Sequence, residues 1–404
     1  MINSGSQQKV LMLGASRLQV PAILAAKNLG FEVICADYDP NAVGFKVADR
    51  HFLTSTLDIE GIEKLALAEG VSFVITSTSD APVKIAALVS ERLDLPTGIS
   101  SHNAICATEK DAMRLRLDHN NIPMPDYRIC HNFQEFQKAV GHFGYDCIVK
   151  PADSAASRGV RLLTPADKAI DPESLFDEIL AFSTKGVVMV EERLIGKEVS
   201  VEAMTVNGVT SILAITDKLT TDPPFFVELG HSEPSLHSLD IQHKISEMTK
   251  DVVSAIGLIN GPSHTEIMIT EDGPKVIETA ARLGGDFITS KLVPLSTGID
   301  FVAGSVAVAV GQEYDFTPNR LCGCAIRFIT ANKAGTIEAI NISEDVSSFS
   351  GVEELSFYLA KGDMINTPHS SGDRIGHVIC TGRDASEAVI RAEAVINAIT
   401  VEIS

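Results

Sequence analysis

The chain has 404 residues, 45% hydrophobic and 21% charged, a globular composition long enough for two or three domains. Its formal charge of −20, from 53 acidic against 33 basic residues, argues against an extended nucleic-acid surface. It leaves room for a small anion held by a few cations and backbone N–H groups. With no Trp and 5% aromatics, stacking platforms for single strands are not expected either.

The longest apolar run, FVAGSVAVAV from Phe301, is about half of what a membrane span needs. The start, MINSGSQQKVLMLGAS, lacks a charged segment followed by a long apolar stretch and a small-residue cleavage site, so a cytosolic location is expected. Seven scattered cysteines, Cys35, Cys106, Cys130, Cys147, Cys322, Cys324 and Cys380, suggest neither a disulfide framework nor a zinc site. The CGC pair at Cys322 and Cys324 has no second pair at ligand spacing, and both residues are expected to be buried in a strand.

In chain order, residues 9–40 predict a strand, a turn at Gly14, a helix and a second strand ending at Asp37. An acid 23 residues after a glycine turn raises a dinucleotide site. The turn reads GASRLQ, however, and lacks two of the three fingerprint glycines, so a Rossmann-like domain without NAD is expected. GIEKLALAEG and APVKIAALVSERL predict helices around the strand VSFVITSTSD, whose end TSTSD lies at the ligand-binding edge of an open parallel sheet. A domain boundary is expected near DLPTGISSHNAICATEK, followed by a helix over Asp111–Asn120 that NNIPMPDY terminates.

YDCIVKPADSAASRGVRLL predicts strand, small-residue loop and strand, and the segment from VVMVEERLIGKE to Leu219 several more strands. A helix is expected around Ile245–Ile256. From about Gly311 the chain turns again and ends in a strand, an Asp384-capped turn and a helix.

HTEIMITEDGPKVIETAAR, His264 to Arg282, predicts a hairpin turning at Asp272-Gly273. Glu266 and Glu278 lie six residues either side of Asp272 and should project from one face, where directly opposed like charges are destabilising. A divalent cation between them reverses that sign, and Mg²⁺ bound by carboxylates usually also takes substrate phosphates. Glu271 and Asp272 are expected to be solvated. Arg282 follows, a guanidinium suited to a carboxylate or oxyanion, and then Gly284-Gly285, which lets a ligand approach the backbone. Lys110 near a helix start, and Lys150 before the loop ADSAASRGV, complete a phosphate-binding set in which backbone N–H groups face the anion.

The series Lys110, VKP with Lys150, the small-residue loop, EERLIGKE, Glu266 and Glu278 resembles the ATP-grasp superfamily over about residues 9–310. The resemblance implies an α/β and α+β architecture: an ATP-grasp fold behind a Rossmann-like N-terminal domain, with a small α+β C-terminal domain. The division expected is 1–105, 106–310 with a lid over about 118–195, and 311–404 completing the substrate-side lobe. It implies ATP with Mg²⁺, or Mn²⁺ in its place. Carried over, Lys110, Lys150, Ser154, Ser157, Arg158 and Gly159 serve the phosphates, and Glu191 with the backbone around Leu194 holds adenine. Glu198 serves the ribose, and Glu266 and Glu278 hold the metal.

Two departures from the superfamily pattern stand out: Ala280 where many members have Asn, and a phosphate loop with the single glycine Gly159. Together with GPSHTEIM, ETAARLGGD and FFVELGHSEPS they are similar to the L-amino-acid ligases, which join two amino acids. In that subgroup the arginine matching Arg282 contacts the substrate carboxylate and acyl phosphate. His264, sharing a face with Glu266, and His231, expected in a loop over the pocket, are candidates to orient substrate or take the amine proton. Phe225 and Phe226 line a side-chain pocket or belong to the core. The implied activity is an ADP-forming carboxylate–amine ligase using small-molecule acids and amines, with no nucleic-acid or membrane partner and as a homodimer. The rivals are a bicarbonate-activating carboxylase and an ATP-binding regulator without turnover.

Overall fold

The computed structural model describes residues 7–154, 158–223, 225–343 and 349–404. The chain opens with β1 (Lys9–Leu13), α1 (Val20–Asn28), β2 (Glu32–Asp37), β3 (Arg50–Leu53), α2 (Ile59–Glu69), β4 (Phe73–Ile75) and α3 (Ala81–Arg92). The four strands form a parallel sheet in the order β3-β2-β1-β4. Helices cover both of its faces, so β1 and β2 read as near-continuous apolar runs, and Val10 to Leu13 are fully buried. Asp58 caps α2 by accepting the Gly61 N–H, and Gly70 ends it in the left-handed region (φ +64) that a Cβ would strain.

After α4 (Ser101–Ala104) and α5 (Lys110–His119) come β5 (Tyr127–Cys130), α6 (Phe133–His142), β6 (Cys147–Pro151), β7 (Arg161–Leu163), α7 (Pro172–Leu180) and β8 (Val188–Glu192). These strands pair antiparallel in the order β5-β8-β6-β7. Phe136 and Phe176, from α6 and α7, pack together beneath one face, with ring centroids 5.4 Å apart.

The largest sheet has eight strands in the order β13-β12-β9-β10-β11-β14-β18-β16. It gathers β9 (Lys197–Val206), β10 (Val209–Thr220), β11 (Glu228–Glu233), β12 (Gly261–Thr270), β13 (Gly273–Ala280), β14 (Gly323–Thr330), β16 (Val352–Phe357) and β18 (Arg374–Gly382). Hydrogen bonding from β11 to β14 carries it past residue 310 without a break. A small sheet, β17-β15-β19, joins β15 (Gly335–Ile342), β17 (Met364–Ile365) and β19 (Ile399–Ile403). The remaining helices are α8 (Leu239–Ala255), α9 (Val293–Thr297), α10 (Phe301–Ala309) and α11 (Ala385–Asn397).

Two local expectations change, and a third gains its element. Helix α8 starts at Leu239, six residues before Ile245, because the Ser238 hydroxyl accepts the Ile241 N–H and caps it there. Cys324 is buried in β14 as expected, but Cys322 precedes the strand and is half-buried; all seven cysteines are free. The run at Phe301 is α10, most of whose side chains are buried, and among the described residues no single helix is long and apolar enough to cross a membrane.

Candidate active site

The β12–β13 hairpin turns at Glu271 and Asp272, both exposed, with Thr270 paired to Gly273. That turn sets Ile267 opposite Val276, a register that, if continued, would oppose Glu266 to Ile277 and send Glu278 to the other face. An irregularity between Glu266 and Ile267 adds the missing residue, and Glu266 pairs directly with Glu278. The opposition read from the sequence is therefore present, but a bulge produces it and not an even offset from Asp272.

Each acid has its own cation. Glu278 Oε1 lies 2.8 Å from Lys110 Nζ, and Glu266 Oε1 lies 2.9 Å from Lys218 Nζ and 3.5 Å from His264 Nε2. Lys218, on β10, also pairs with Glu198 and lies 3.8 Å from Glu228. Burial pulls the Lys218 ammonium down, but Glu198, Glu266 and Glu228 outweigh it and hold it well above its usual value. Glu266 is the converse: burial raises it, and Lys218 and His264 hold it well below the carboxylate range. Burial raises Glu198 against the pull of Lys218. Sequence spacing gave no sign of Lys218, which reaches the hairpin only across the sheet through β9.

His264 Nδ1 lies 2.5 Å from Glu202, a fully buried carboxylate. Burial disfavours the imidazolium, but Glu202 and then Glu266 reverse this and raise His264 to about 9. A Cβ on Gly284 would stand 2.7 Å from His264 Nδ1 and 2.9 Å from Glu202 Oε1, so this glycine makes room for that pair; Gly285 borders open space. Arg282 Nε lies 2.7 Å from Asp80 Oδ1, at the end of TSTSD. A second tie runs from the Leu283 N–H to the Ser77 carbonyl, at 3.0 Å.

Lys110 and Lys150 are both buried, at 7% and 5% exposure. Lys110 also donates to the Ser154 carbonyl at 2.7 Å, and Asp153 accepts the N–H groups of Thr184 and Lys185. These contacts fix the start of the phosphate loop; Ser157 lies outside the described residues, and Arg158 is exposed. Gly159 adopts φ +75, with Phe182 and Pro151 occupying the space a Cβ would need.

Lys150 Nζ lies 2.6 Å from Glu191, whose carboxylate is shared with Arg114 at 2.9 and 3.1 Å. Burial raises Glu191, yet Arg114 and Lys150 bring it down to about 2. Burial lowers Lys150. Glu191 thus enters a buried ion triad, and the half-buried Leu194 lies in the loop that follows. Arg114 also donates to the Ile277 carbonyl at 2.7 Å, tying α5 to the bulged strand. Its position one helical turn after Lys110 on α5 was the available signal.

His231, expected in a loop, lies in β11 and is 1% exposed, because Gly230 to Glu233 pair with β14. Its Nε2 lies 3.3 Å from Asp286 Oδ2, and Arg374, from β18, grips the same carboxylate at 2.8 and 2.9 Å. Asp286 and Phe287 adopt φ +50 and +63, a conformation costly for residues with a Cβ. Phe225 is exposed and packs against His369, with ring centroids 4.3 Å apart. At the Gly14 turn the chain makes contacts of its own. Asp37 accepts from the Ala15 and Asp39 N–H groups, and the Gln19 side chain lies against Gly14 where a Cβ would stand.

The more exposed groups of the site are acidic. Glu278 and Glu266 are 35% and 23% exposed in their side chains, whereas Lys110 and Lys218, behind them, are 8% and 5% exposed. Such a face attracts a cation. Two opposed carboxylates form a hard oxygen donor set that fits Mg²⁺ completed by phosphate and water. Among the described residues no cluster of three or more His, Cys, Asp or Glu forms a full metal cage.

The chain is similar to proteins of known family. Residues 143–290 match the ATP-grasp domain family, and residues 327–404 match the family described as L-amino acid ligase C-terminal domain 2. The chain is 25% identical over 403 residues to formate-dependent phosphoribosylglycinamide formyltransferase of Burkholderia thailandensis, covering 96% of this chain and 94% of that one. It is 23% identical over 276 residues to L-arginine-specific L-amino acid ligase of Bacillus subtilis, 68% of this chain and 67% of that one. The crystal structure of L-amino acid ligase from Bacillus licheniformis superposes with a TM-score of 0.83 at 20% identity, over 99% of this chain and 100% of that one.

Proposed function

For this chain, a member of the ATP-grasp superfamily, we propose an ADP-forming carboxylate–amine ligase that joins amino acids through an acyl phosphate. A carboxylate is a poor electrophile because its charge is delocalised and it has no good leaving group. Attack of its oxygen on the γ-phosphorus of ATP breaks the bond to the β–γ bridging oxygen and releases ADP. The amine nitrogen then attacks the acyl carbon, and the bond to the phosphate oxygen breaks. Phosphoryl transfer of this kind needs positioning and charge neutralisation more than covalent help.

The roles follow the placement of charge. Lys110, Lys150 and the loop at Ser154, Ser157, Arg158 and Gly159 bind the phosphates. Glu191, committed to Arg114 and Lys150, holds Lys150 in place, and adenine recognition falls to the backbone around Leu194. Glu198 accepts from the ribose. Glu266 and Glu278 are the ligands for Mg²⁺ (or Mn²⁺), which when bound neutralises charge on the γ-phosphoryl group. Arg282, fixed by Asp80, stabilises the oxyanion formed as the amine attacks. His264, raised to about 9, is an imidazolium at neutral pH and adds a positive charge beside Glu266; His231, buried in β11 and held by Asp286, acts on the substrate side only through that carboxylate. Gly285, with open space beside it, borders the substrate, whereas Gly284 makes room for His264 and Glu202.

The single observation that supports this reading is the direct opposition of Glu266 and Glu278, with Lys110 and Lys218 behind them. Phosphate release over a matrix of amino-acid pairs with ATP and Mg²⁺, followed by product mass, tests it. The near full-length likeness to a formate-dependent enzyme favours one rival, in which formate is the acid and a phosphoribosyl amine the partner. Formate and bicarbonate arms in the same assay separate the rivals. ATP binding with no ADP from any acid favours a regulator.

A further inference from the structure

Three arginines stand where the carboxyl ends of β1 and β4 meet the eight-stranded sheet. Arg282 is committed to Asp80, and Arg374 to Asp286 and Glu228. Arg17 differs: among the described residues no carboxylate pairs with it, although the chain carries 20 more acids than bases. Its guanidinium carbon lies over the Tyr358 ring, 5.6 Å from the centroid.

The surroundings of Arg17 are built. The loop that carries it is pinned on both sides, by Asp37 to the Ala15 N–H at 2.7 Å and by Gln19 to the Ser16 N–H and Ser79 hydroxyl at 2.9 and 2.8 Å. Arg17 itself is exposed. On the other side, the Tyr358 hydroxyl lies 2.6 Å from His377 Nδ1, and the His377 ring stacks on Phe287 with centroids 4.6 Å apart. Phe287 adjoins Asp286, the carboxylate shared by Arg374 and His231. Contacts therefore run from Arg17 through Tyr358 and His377 to Phe287, the chain neighbour of the Asp286 carboxylate that Arg374 and His231 share. A guanidinium lying over an aromatic ring with its fork unpaired suits bidentate contact with an oxyanion.

We infer that Arg17, presented over Tyr358, is a specificity-determining residue that binds an anionic group of the amine substrate, a carboxylate or a phosphate. This rests on the ligase reading above. It makes the amine partner an ammonium at one end and an oxyanion at the other, and it makes the β1–α1 loop a substrate-recognition loop.

The test compares wild type, Arg17→Ala and Arg17→Lys with glycine, glycinamide and O-phosphoethanolamine as amines, over a panel of amino acids and formate as acids. Loss of a bidentate charged contact is expected to raise KM for the anionic amine roughly 10- to 100-fold in Arg17→Ala, leaving glycinamide unchanged. Arg17→Lys, which keeps the charge without the fork, is expected to fall between. Selective loss with glycine assigns a carboxylate, and with O-phosphoethanolamine a phosphate. Equal loss with glycinamide, or no loss with any amine, overturns the inference while the ligase reading stands. No product from wild type with any pair removes the ligase reading and this inference with it.

Discussion

Arg282 and Asp80, 202 positions apart, meet at 2.7 Å and join the end of the β12–β13 hairpin to the carboxyl edge of the parallel sheet. The contact turns a hairpin and a separate sheet into two walls of one site. Burial disfavours the Arg282 charge, but Asp80 and then Glu278 and Glu266 raise it, so the guanidinium is charged at every working pH.

Arg282→Ala is expected to lower kcat by roughly 10²–10³, the range for removing one oxyanion donor. Asp80→Asn keeps the arginine and is expected to cost less, with KM for ATP unchanged. Steady-state kinetics on both variants decides it; equal losses would mean that Asp80 touches substrate directly.

Glu266→Gln with Glu278→Gln should abolish the Mg²⁺ dependence of ATP binding, because both proposed ligands lose their charge. Titrating nucleotide affinity against Mg²⁺ by calorimetry reads this without turnover. Unchanged metal dependence would remove these two residues from the site.

Arg114→Met leaves Glu191 buried with Lys150 alone and is expected to destabilise the fold by about 3–5 kcal/mol, as breaking a buried ion pair does. Adding Glu191→Gln should recover part of that loss. The sign with pH follows from Glu191: its folded value of about 2 lies below the unfolded 4.5. Its stabilisation is therefore present above pH 4.5 and is lost as pH falls through about 2. Denaturant midpoints between pH 6 and about 2 should fall less steeply in the double variant than in wild type.

His264, raised from 6.5 to about 9, should remain an imidazolium at neutral pH. A raised value means its stabilisation is complete below pH 6.5 and is lost as pH climbs through about 9. Histidine NMR on labelled protein measures this directly. Glu202→Gln, which removes the nearest charge, should lower the value; a His264 already neutral at pH 7 would restore it as a candidate base.

The strand–helix alternation read over residues 9–40 and 61–93 was legible because a buried parallel sheet demands apolar runs; the short, largely exposed strand β3 (Arg50–Leu53) was not read. The hairpin was legible because its turn residues and alternation are local. Glu266, Glu278, Lys110, Lys150 and Arg282 could be named because each sits in a short motif. Whether Glu266 faces Glu278 was not local, since the turn alone points the other way and a bulge beside Glu266 corrects it. His231 was misplaced because strand pairing with β14, about 95 residues on, is invisible in ELGHSEP.

The sequence by itself determined which residues carry charge and in what order along the chain. Only tertiary structure decided who neutralises whom: Lys218 between Glu198 and Glu266, Arg114 with Glu191, Arg374 with Asp286. The reason is physical. Propensity and periodicity act over a few residues, whereas an ion pair needs only proximity in space. Burial then makes that proximity decisive, because a charge removed from water must find a partner wherever the fold supplies one.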